Sequence, residues 1–261
     1  MIALLAALSL YGAVSAYHEG RLGEAHAALA ALAERQPRNP NVLIWLGAAQ
    51  LENGGDAQGA ERTLRQASKL APRLWRAHLL LGVALAKQID DASIFRKLSI
   101  ASEVKKEFDR AAELSPGSLP AREALLEYAL HAPAIAGGGT DAARREAAKI
   151  AEIDAFAGAL ANARIAGDFS TVRRQASSGE QLAALARASR SIDDFRRAAQ
   201  ARPLDARLRA EVGEAELAAG NATAALASFR AAAAIDPALA AAARGMARVY
   251  AAQGSGGGSR R

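Results

Sequence analysis

The chain contains no cysteine. Disulfides, thiolate nucleophiles and sulfur-ligated metals are therefore excluded, and no redox compartment is indicated. Aromatic residues make up only 5% of the sequence, which leaves little for stacking against nucleic-acid bases. No stretch alternates β-branched with polar residues at period two, so we expect essentially no sheet. The zinc-binding HExxH, the nucleophile-elbow GxSxG and the GK[ST] end of a phosphate loop are all missing. The four histidines, His18, His26, His78 and His131, are too far apart for ligand spacing. Paired carboxylates flanking a cleft are not evident either. Gly137-Gly138-Gly139-Thr140 comes nearest to a phosphate cradle, but no strand leads into it, and it reads as a turn between helices. No enzyme, cofactor or metal is expected. The net charge is +6 with a pI of about 10.0. Its arginines come in scattered pairs, Arg144-Arg145, Arg173-Arg174, Arg196-Arg197 and Arg260-Arg261. With no interleaved aromatics, they read as solvated helix faces, and no nucleic-acid partner is expected.

What is present is apolar and small. Hydrophobic residues reach 51%, with alanine dominant, a mix that favours closely packed helices. Leu208 to Pro237 reads LRAEVGEAELAAGNATAALASFRAAAAIDP. Gly213 follows an apolar residue, Gly220-Asn221 marks a turn, and Ala225, Phe229, Ala232 and Pro237 follow in order. The register continues, since Pro203 to Pro237 and Gly220 to Gly254 each span 34 residues. This pattern resembles a tetratricopeptide repeat, a pair of antiparallel helices that stacks on its neighbours. Gly220 would supply the left-handed residue ending the first helix and Asn221 would cap the second. Gly213 and Ala225 would keep the crossing close, with Phe229 filling the space beside them. The resemblance implies an all-α fold, a right-handed α-α superhelix or TPR-like solenoid. About six helical hairpins and a C-terminal capping helix would build it, none stable without its neighbours.

The other units follow in order. Residues 1–16 form an apolar N-terminal helix, part of an uncharged run from Met1 to Tyr17. It reads either as the first helix of repeat one or as a signal or anchor segment, with Val14-Ser15-Ala16 as a small-residue cleavage site but no basic residue before it. Ala13, Gly20, Ala25, Leu29 and Pro37 match the Leu208 unit, with Leu32 where Ala232 stands later. Residues 17–253 make the solenoid. Repeat two carries Trp45, Gly47, the turn Asn53-Gly54-Gly55-Asp56, Ala60 and Leu64. Repeat three has Trp75, Gly82 and about ten extra residues, read as a loop at Ile89–Asp91 and a long helix from Ala92 to Leu114. Repeat four runs from Pro120, with Thr140 expected as a helix cap. A helix from Phe156 to Ile165, a short helix and loop at Phe169–Gln181, and helical periodicity from Leu182 to Ala201 come next. Ala238 to Gln253 closes the stack, and residues 254–261 read as a flexible Gly/Ser/Arg tail.

A narrower likeness covers Ser93 to Ile165. The long helix SIFRKLSIASEVKKEFDRAAELSP and the segment Glu127-Tyr128, Leu130, Ala132-Pro133, Ile135, Gly137-Gly138 and Ala143 resemble a group of bacterial, often exported, tetratricopeptide proteins with an APxIxGG segment. A looser similarity extends to the mitochondrial regulators of microtubule dynamics. The first resemblance implies an exported, periplasmic or membrane-associated protein, with Met1–Tyr17 as the docking segment; a cytoplasmic location is the alternative.

Function is sought on the concave face, lined by the first helix of each hairpin. Helical period places its inward residues at fixed steps from the small residue of each unit. They are Ile44, Ala48, Leu51 and Glu52 around Gly47, and Leu79, Val83, Ala86 and Lys87 around Gly82. In repeat four they are Glu123, Glu127, Leu130 and His131, and around Gly213 they are Ala210, Glu214, Leu217 and Ala218. Tetratricopeptide domains that clamp a C-terminal carboxylate use Lys, Asn and Arg at such places. Here they are mostly apolar or acidic, and they either face a ligand or, if the superhelix closes tightly, pack against their own neighbours. The expected partner is a protein or peptide with an apolar face and basic side chains, bound without catalysis by a scaffold. A structural adaptor tethered at a membrane through Met1–Tyr17 is the alternative.

Overall fold

A Cβ placed on Gly47 would lie 2.5 Å from Leu64 Cγ, and one on Gly213 would lie 2.7 Å from the ring of Phe229. Gly82 faces Phe108 in the same way. Each contact joins the two helices of one hairpin, and nothing larger than hydrogen fits there. The computed structural model describes residues 9–19, 21–52, 56–89, 93–237 and 239–256, and every regular element among them is helical.

These residues fall into two compact units, Met1–Ile165 and Ala166–Arg261. The first holds four sequential hairpins. They are α1 (Leu10–His18) with α2 (Leu22–Arg35), α3 (Pro40–Glu52) with α4 (Ala57–Leu70), α5 (Trp75–Ala86) with α6 (Ile94–Leu114), and α7 (Leu119–His131) with α8 (Thr140–Ile153). Helix α9 (Ala155–Ala166) then packs Ala157, Ala161 and Ile165 beside Leu126, Ala129 and Ala147. The second unit contains α10 (Ser170–Gln175), the hairpin α11 (Gly179–Ser189) with α12 (Ile192–Ala201), and the hairpin α13 (Ala206–Ala218) with α14 (Ala222–Ile235). It ends with α15 (Ala240–Gly256). The all-α class and the six hairpins with a closing helix are as expected.

The core is a file of small and large side chains in fixed order. In the first unit Leu29, Leu64, Leu81, Val104, Leu126 and Ile150 are fully buried, interleaved with Ala25, Ala60, Ala77, Ala111 and Ala147. Full burial of a Leu, Ile or Phe contributes about 1.5–3 kcal/mol, and Leu29, Leu64, Leu81 and Val104 lie in clusters that join neighbouring hairpins. In the second unit Phe229 is wholly buried, with Gly213 on one side and Gly245 of α15 on the other. Leu239, just before α15, and Ala242 and Val249 on it join Phe229 in one core and close the unit. The fourth hairpin reverses the sizes. Leu126 stands on the first helix where Gly47, Gly82 and Gly213 stand in theirs, and Ala147 on the second where Phe229 stands; both are buried in one cluster. The summed volume is kept, so the crossing survives.

Several local expectations are corrected. Gly220 is left-handed, with φ of 81°, as a helix end requires. Asn221, however, makes no side-chain cap and donates instead to Glu216 Oε2 at 3.3 Å. Thr140 lies inside the first turn of α8, and Gly139 occupies the cap with φ of 103°. The periodic stretch Leu182–Ala201 is two helices, broken by Arg190 at φ of 54°. Helix α6 starts at Ile94, and α15 runs to Gly256, three residues into the expected tail. The turn at Asn53–Gly55, most of the Ile89–Asp91 loop, residues 1–8 and residues 257–261, with Arg260-Arg261, lie outside the described residues. The arginine pairs are more than solvated faces. Arg173 bonds Asp194 and Arg196 bonds Glu216, and both carboxylates are 2% exposed. Burial alone would raise the Asp194 carboxyl, yet Arg173 and the Ser189 hydroxyl outweigh it and hold it below the usual range.

Ala225 has no exposed surface. Ala225→Arg overpacks the α13–α14 crossing and strands a charge there, so we expect a loss of about 3 kcal/mol or more. Thermal unfolding checks it, and a shift of a degree or two would show the crossing is elsewhere.

Candidate interaction surface

Along the first unit, each first helix touches the first helix of the next hairpin: α1 with α3, α3 with α5, α5 with α7. Helix α3 is apolar almost all round, so its neighbours cover it on every side. Ile44 and Ala48 are each 4% exposed and Leu51 6%, with Ile44 and Leu51 packed in one core with Leu81 and Leu85 of α5. These three were expected to face a ligand. They pack inside the fold because the first helices stand close enough to bury one another's apolar stripe. Ala210 of α13 is likewise buried.

Leu79, Val83 and Ala86 of α5 stay half-buried at the edge of that core. Lys87, at the end of α5, is exposed. Helix α7 adds the exposed Glu123, Glu127 and His131, with Leu130 half-buried beside them. In the second unit Leu217 is half-buried and Ala218 exposed.

The acids were expected to be open to a partner's basic side chains, but three of them are held by neighbours about one repeat away. Tyr17 donates its hydroxyl to Glu52 at 2.5 Å, 35 positions apart. Arg164 of α9 bonds Glu127 from 37 positions away. Arg248 of α15 bonds Glu214 from 34 positions away. His131 also leans on α7, its Nδ1 2.9 Å from the Glu127 carbonyl and 3.6 Å from its carboxylate. Sequence reading missed Tyr17, Arg164 and Arg248, although a separation near the repeat period was the available sign.

Glu123 is different. Among the described residues it takes part in no ion pair or hydrogen bond that its neighbours supply. The side chain is exposed, and its carboxyl is pushed up chiefly by partial desolvation at the protein surface. Arg164 opposes that rise from a distance, while the negative charges of Glu127 and Asp154 add to it. A half-buried apolar strip on α5 therefore lies on the helix next to one bearing an acid that lacks a bonded counter-charge.

Two other features close off alternatives. The Gly137–Gly139 amides are all taken, by the carbonyls of Ala134, Pro133 and Ala129 respectively, and Tyr128 Oη donates to Ala136 O at 2.7 Å. That turn is braced from within, and these three amides are not free for a phosphate. Among the described residues no three His, Asp or Glu side chains stand together as metal ligands. No described helix is long and apolar enough to cross a membrane.

Because folding raises the Glu123 pKa, the folded chain binds that proton more tightly than the unfolded chain. Ionisation therefore costs stability, and the cost is relieved as pH falls through the raised value towards the ordinary 4.5. We expect Glu123→Gln to melt above the parent at neutral pH, with the gap closing below pH 4.5. A gap of constant size across a pH series of melts would contradict this.

No family model and no curated protein sequence matches the chain. Solved structures do. A thermophilic TPR protein of Thermus thermophilus superposes with a TM-score of 0.50 at 16% identity, covering 92% of this chain and 96% of that one. A tetratricopeptide repeat protein from Parabacteroides merdae gives 0.44 at 16% identity over 89% and 96%. YrrB, a TPR protein with an unusual peptide-binding site, gives 0.35 at 14% identity over 90% and 88%. At such identities the likeness speaks of the fold. The chain has the tetratricopeptide-like fold, helices packed in sequential pairs.

Proposed function

We propose that this chain is a non-catalytic scaffold that binds a protein or peptide segment on the first-helix face of α5 and α7. The observation that carries the reading is Glu123, an acid with no bonded counter-charge on the helix next to the apolar strip of Leu79 and Val83. A basic side chain entering there would relieve the repulsion from Glu127 and Asp154, while an apolar neighbour in the ligand covers the strip. Lys87 and His131, both exposed, border the face and set its polarity at the ends of α5 and α7. The ligand this favours is an amphipathic helix or extended segment carrying Lys or Arg next to an apolar residue. Ile44, Ala48 and Leu51 support the face from beneath, and Glu52, Glu214 and Leu217 play no direct part in it.

A second reading, a structural adaptor tethered at a membrane or exported, is favoured by Tyr11, 85% exposed on the uncharged first helix. An aromatic ring standing in solvent on such a helix suits the boundary of a lipid surface. The two readings are compatible, since docking through α1 leaves α5 and α7 open.

One experiment addresses both. The full-length chain and a Leu79→Asp, Val83→Asp variant are fractionated from the native host, and partners are recovered from soluble and membrane fractions. The scaffold reading expects the variant, still folded by circular dichroism, to lose most of its partner; undiminished recovery sinks it. The tether reading expects the chain in the membrane fraction, and a freely soluble chain sinks that one.

A further inference from the structure

Two neighbouring hairpins of the first unit share a polar device that the α13–α14 hairpin leaves incomplete. In the third hairpin His78 stands four residues before Gly82 and Glu107 one before Phe108, the two residues that touch at the crossing. His78 Nδ1 lies 2.6 Å from Glu107 Oε2, and that contact chiefly holds the histidine pKa above 6.5. In the fourth hairpin the same two places, four before Leu126 and one before Ala147, are Arg122 and Glu146, paired at 3.4 Å. Twice, then, a basic side chain on the first helix is answered by a glutamate on the second.

In the α13–α14 hairpin the cation is kept and the glutamate is gone. Arg209 stands four residues before Gly213, and Ser228 one before Phe229. A hydroxyl is too short and carries no charge to meet a guanidinium. Arg209 Nε is buried with no hydrogen-bond partner, and among the described residues no carboxylate pairs with it. A cleft of about 200 Å³ opens at this point, lined by Arg196, Gln200, Arg209, Val212, Glu216 and Ser228. The carboxylate in the cleft, Glu216, is already occupied. It takes Arg196 Nη2 at 2.6 Å and Nε at 3.1 Å on one oxygen and Asn221 Nδ2 at 3.3 Å on the other.

We propose that this cleft binds a carboxylate supplied from outside the chain, which takes the place that Glu107 and Glu146 fill in the third and fourth hairpins. The guanidinium offers Nε–H and Nη–H as a planar fork, which a carboxylate matches with two parallel hydrogen bonds. Ser228 Oγ and the Gln200 amide stand at the same cleft as further donors. The carboxylate can come from an aspartyl or glutamyl side chain of a partner, or from a small free dicarboxylate. The site lies on a different hairpin from the α5–α7 face and does not rest on that reading.

Thermal unfolding of the full-length chain tests it, in sodium succinate against sodium chloride of equal ionic strength. A parallel arm uses an end-capped oligoglutamate peptide against an end-capped oligoglutamine. We expect a rise in melting temperature with at least one carboxylate; succinate activity assigns a free small ligand, and activity of oligoglutamate alone assigns a polypeptide side chain. Arg209→Gln should abolish the rise. Ser228→Glu restores the missing glutamate from within, so it should raise the ligand-free melting temperature by about 2 °C or more and remove the response to added carboxylate. Absence of any response, or a response that survives in Ser228→Glu, would overturn the proposal even if Arg209→Gln fails to fold.

Discussion

The distance between paired helices is set by a hydrogen atom at Gly47, Gly82 and Gly213, each pressed against a large side chain of the partner helix. Everything else in the fold depends on that contact. It fixes how near the two backbones run, and so which flanking residues are sealed and which are left at an edge. The fourth hairpin shows that the constraint is on volume, not on glycine as such, because Leu126 and Ala147 exchange the sizes and keep the fit. Phe229, held between Gly213 and Gly245, shows the same contact passing from one hairpin to the next helix. A hairpin alone would leave half of that ring in water, which is why stability here belongs to neighbours rather than to units.

A repeated fold repeats its polar contacts too. In the third and fourth hairpins a basic side chain four residues before the crossing meets a glutamate one residue before it, and Glu52, Glu127 and Glu214 on first helices are tied to groups roughly one repeat away. These bonds satisfy most of the charge that a reading of inward positions would offer to a ligand. What remains is small and local: Glu123 without a bonded counter-charge in the first unit, and Arg209 without one in the second. Arg209 departs from the pairing that the third and fourth hairpins keep, and Glu123 from the bonding of Glu52, Glu127 and Glu214. Departures of this kind are where local consistency gives way to binding.

The fold was largely legible because it rests on periodicity. Gly213, Ala225, Phe229 and Pro237 recur in step with the earlier units, and small and large residues in fixed order admit few other packings. The surface was less legible. Ile44 and Leu51 satisfy the helical spacing for an inward face, but spacing does not say how close the next first helix comes, and here it comes close enough to bury them. Arg164 and Arg248 were invisible for a related reason: their partners lie in another repeat, and no local pattern marks the pairing. Asn221 has the side chain of a cap, yet Glu216 lies within reach and takes its amide. Competition of this kind is decided in three dimensions. Arg190, left-handed without being glycine, broke a stretch whose apolar period ran on unbroken.

The central claim is that helix spacing is governed by one small-to-large contact per hairpin, and a double-mutant cycle on Gly82 and Phe108 tests it most directly. Gly82→Ala drives a methyl into the Phe108 ring, and Phe108→Leu leaves a void, so each alone should lower stability in chemical denaturation. Together the added methyl should occupy space the smaller side chain vacates, and the double variant should fall short of the summed losses by about 1 kcal/mol or more. Losses that add within about 0.3 kcal/mol would mean the two residues do not set the spacing together.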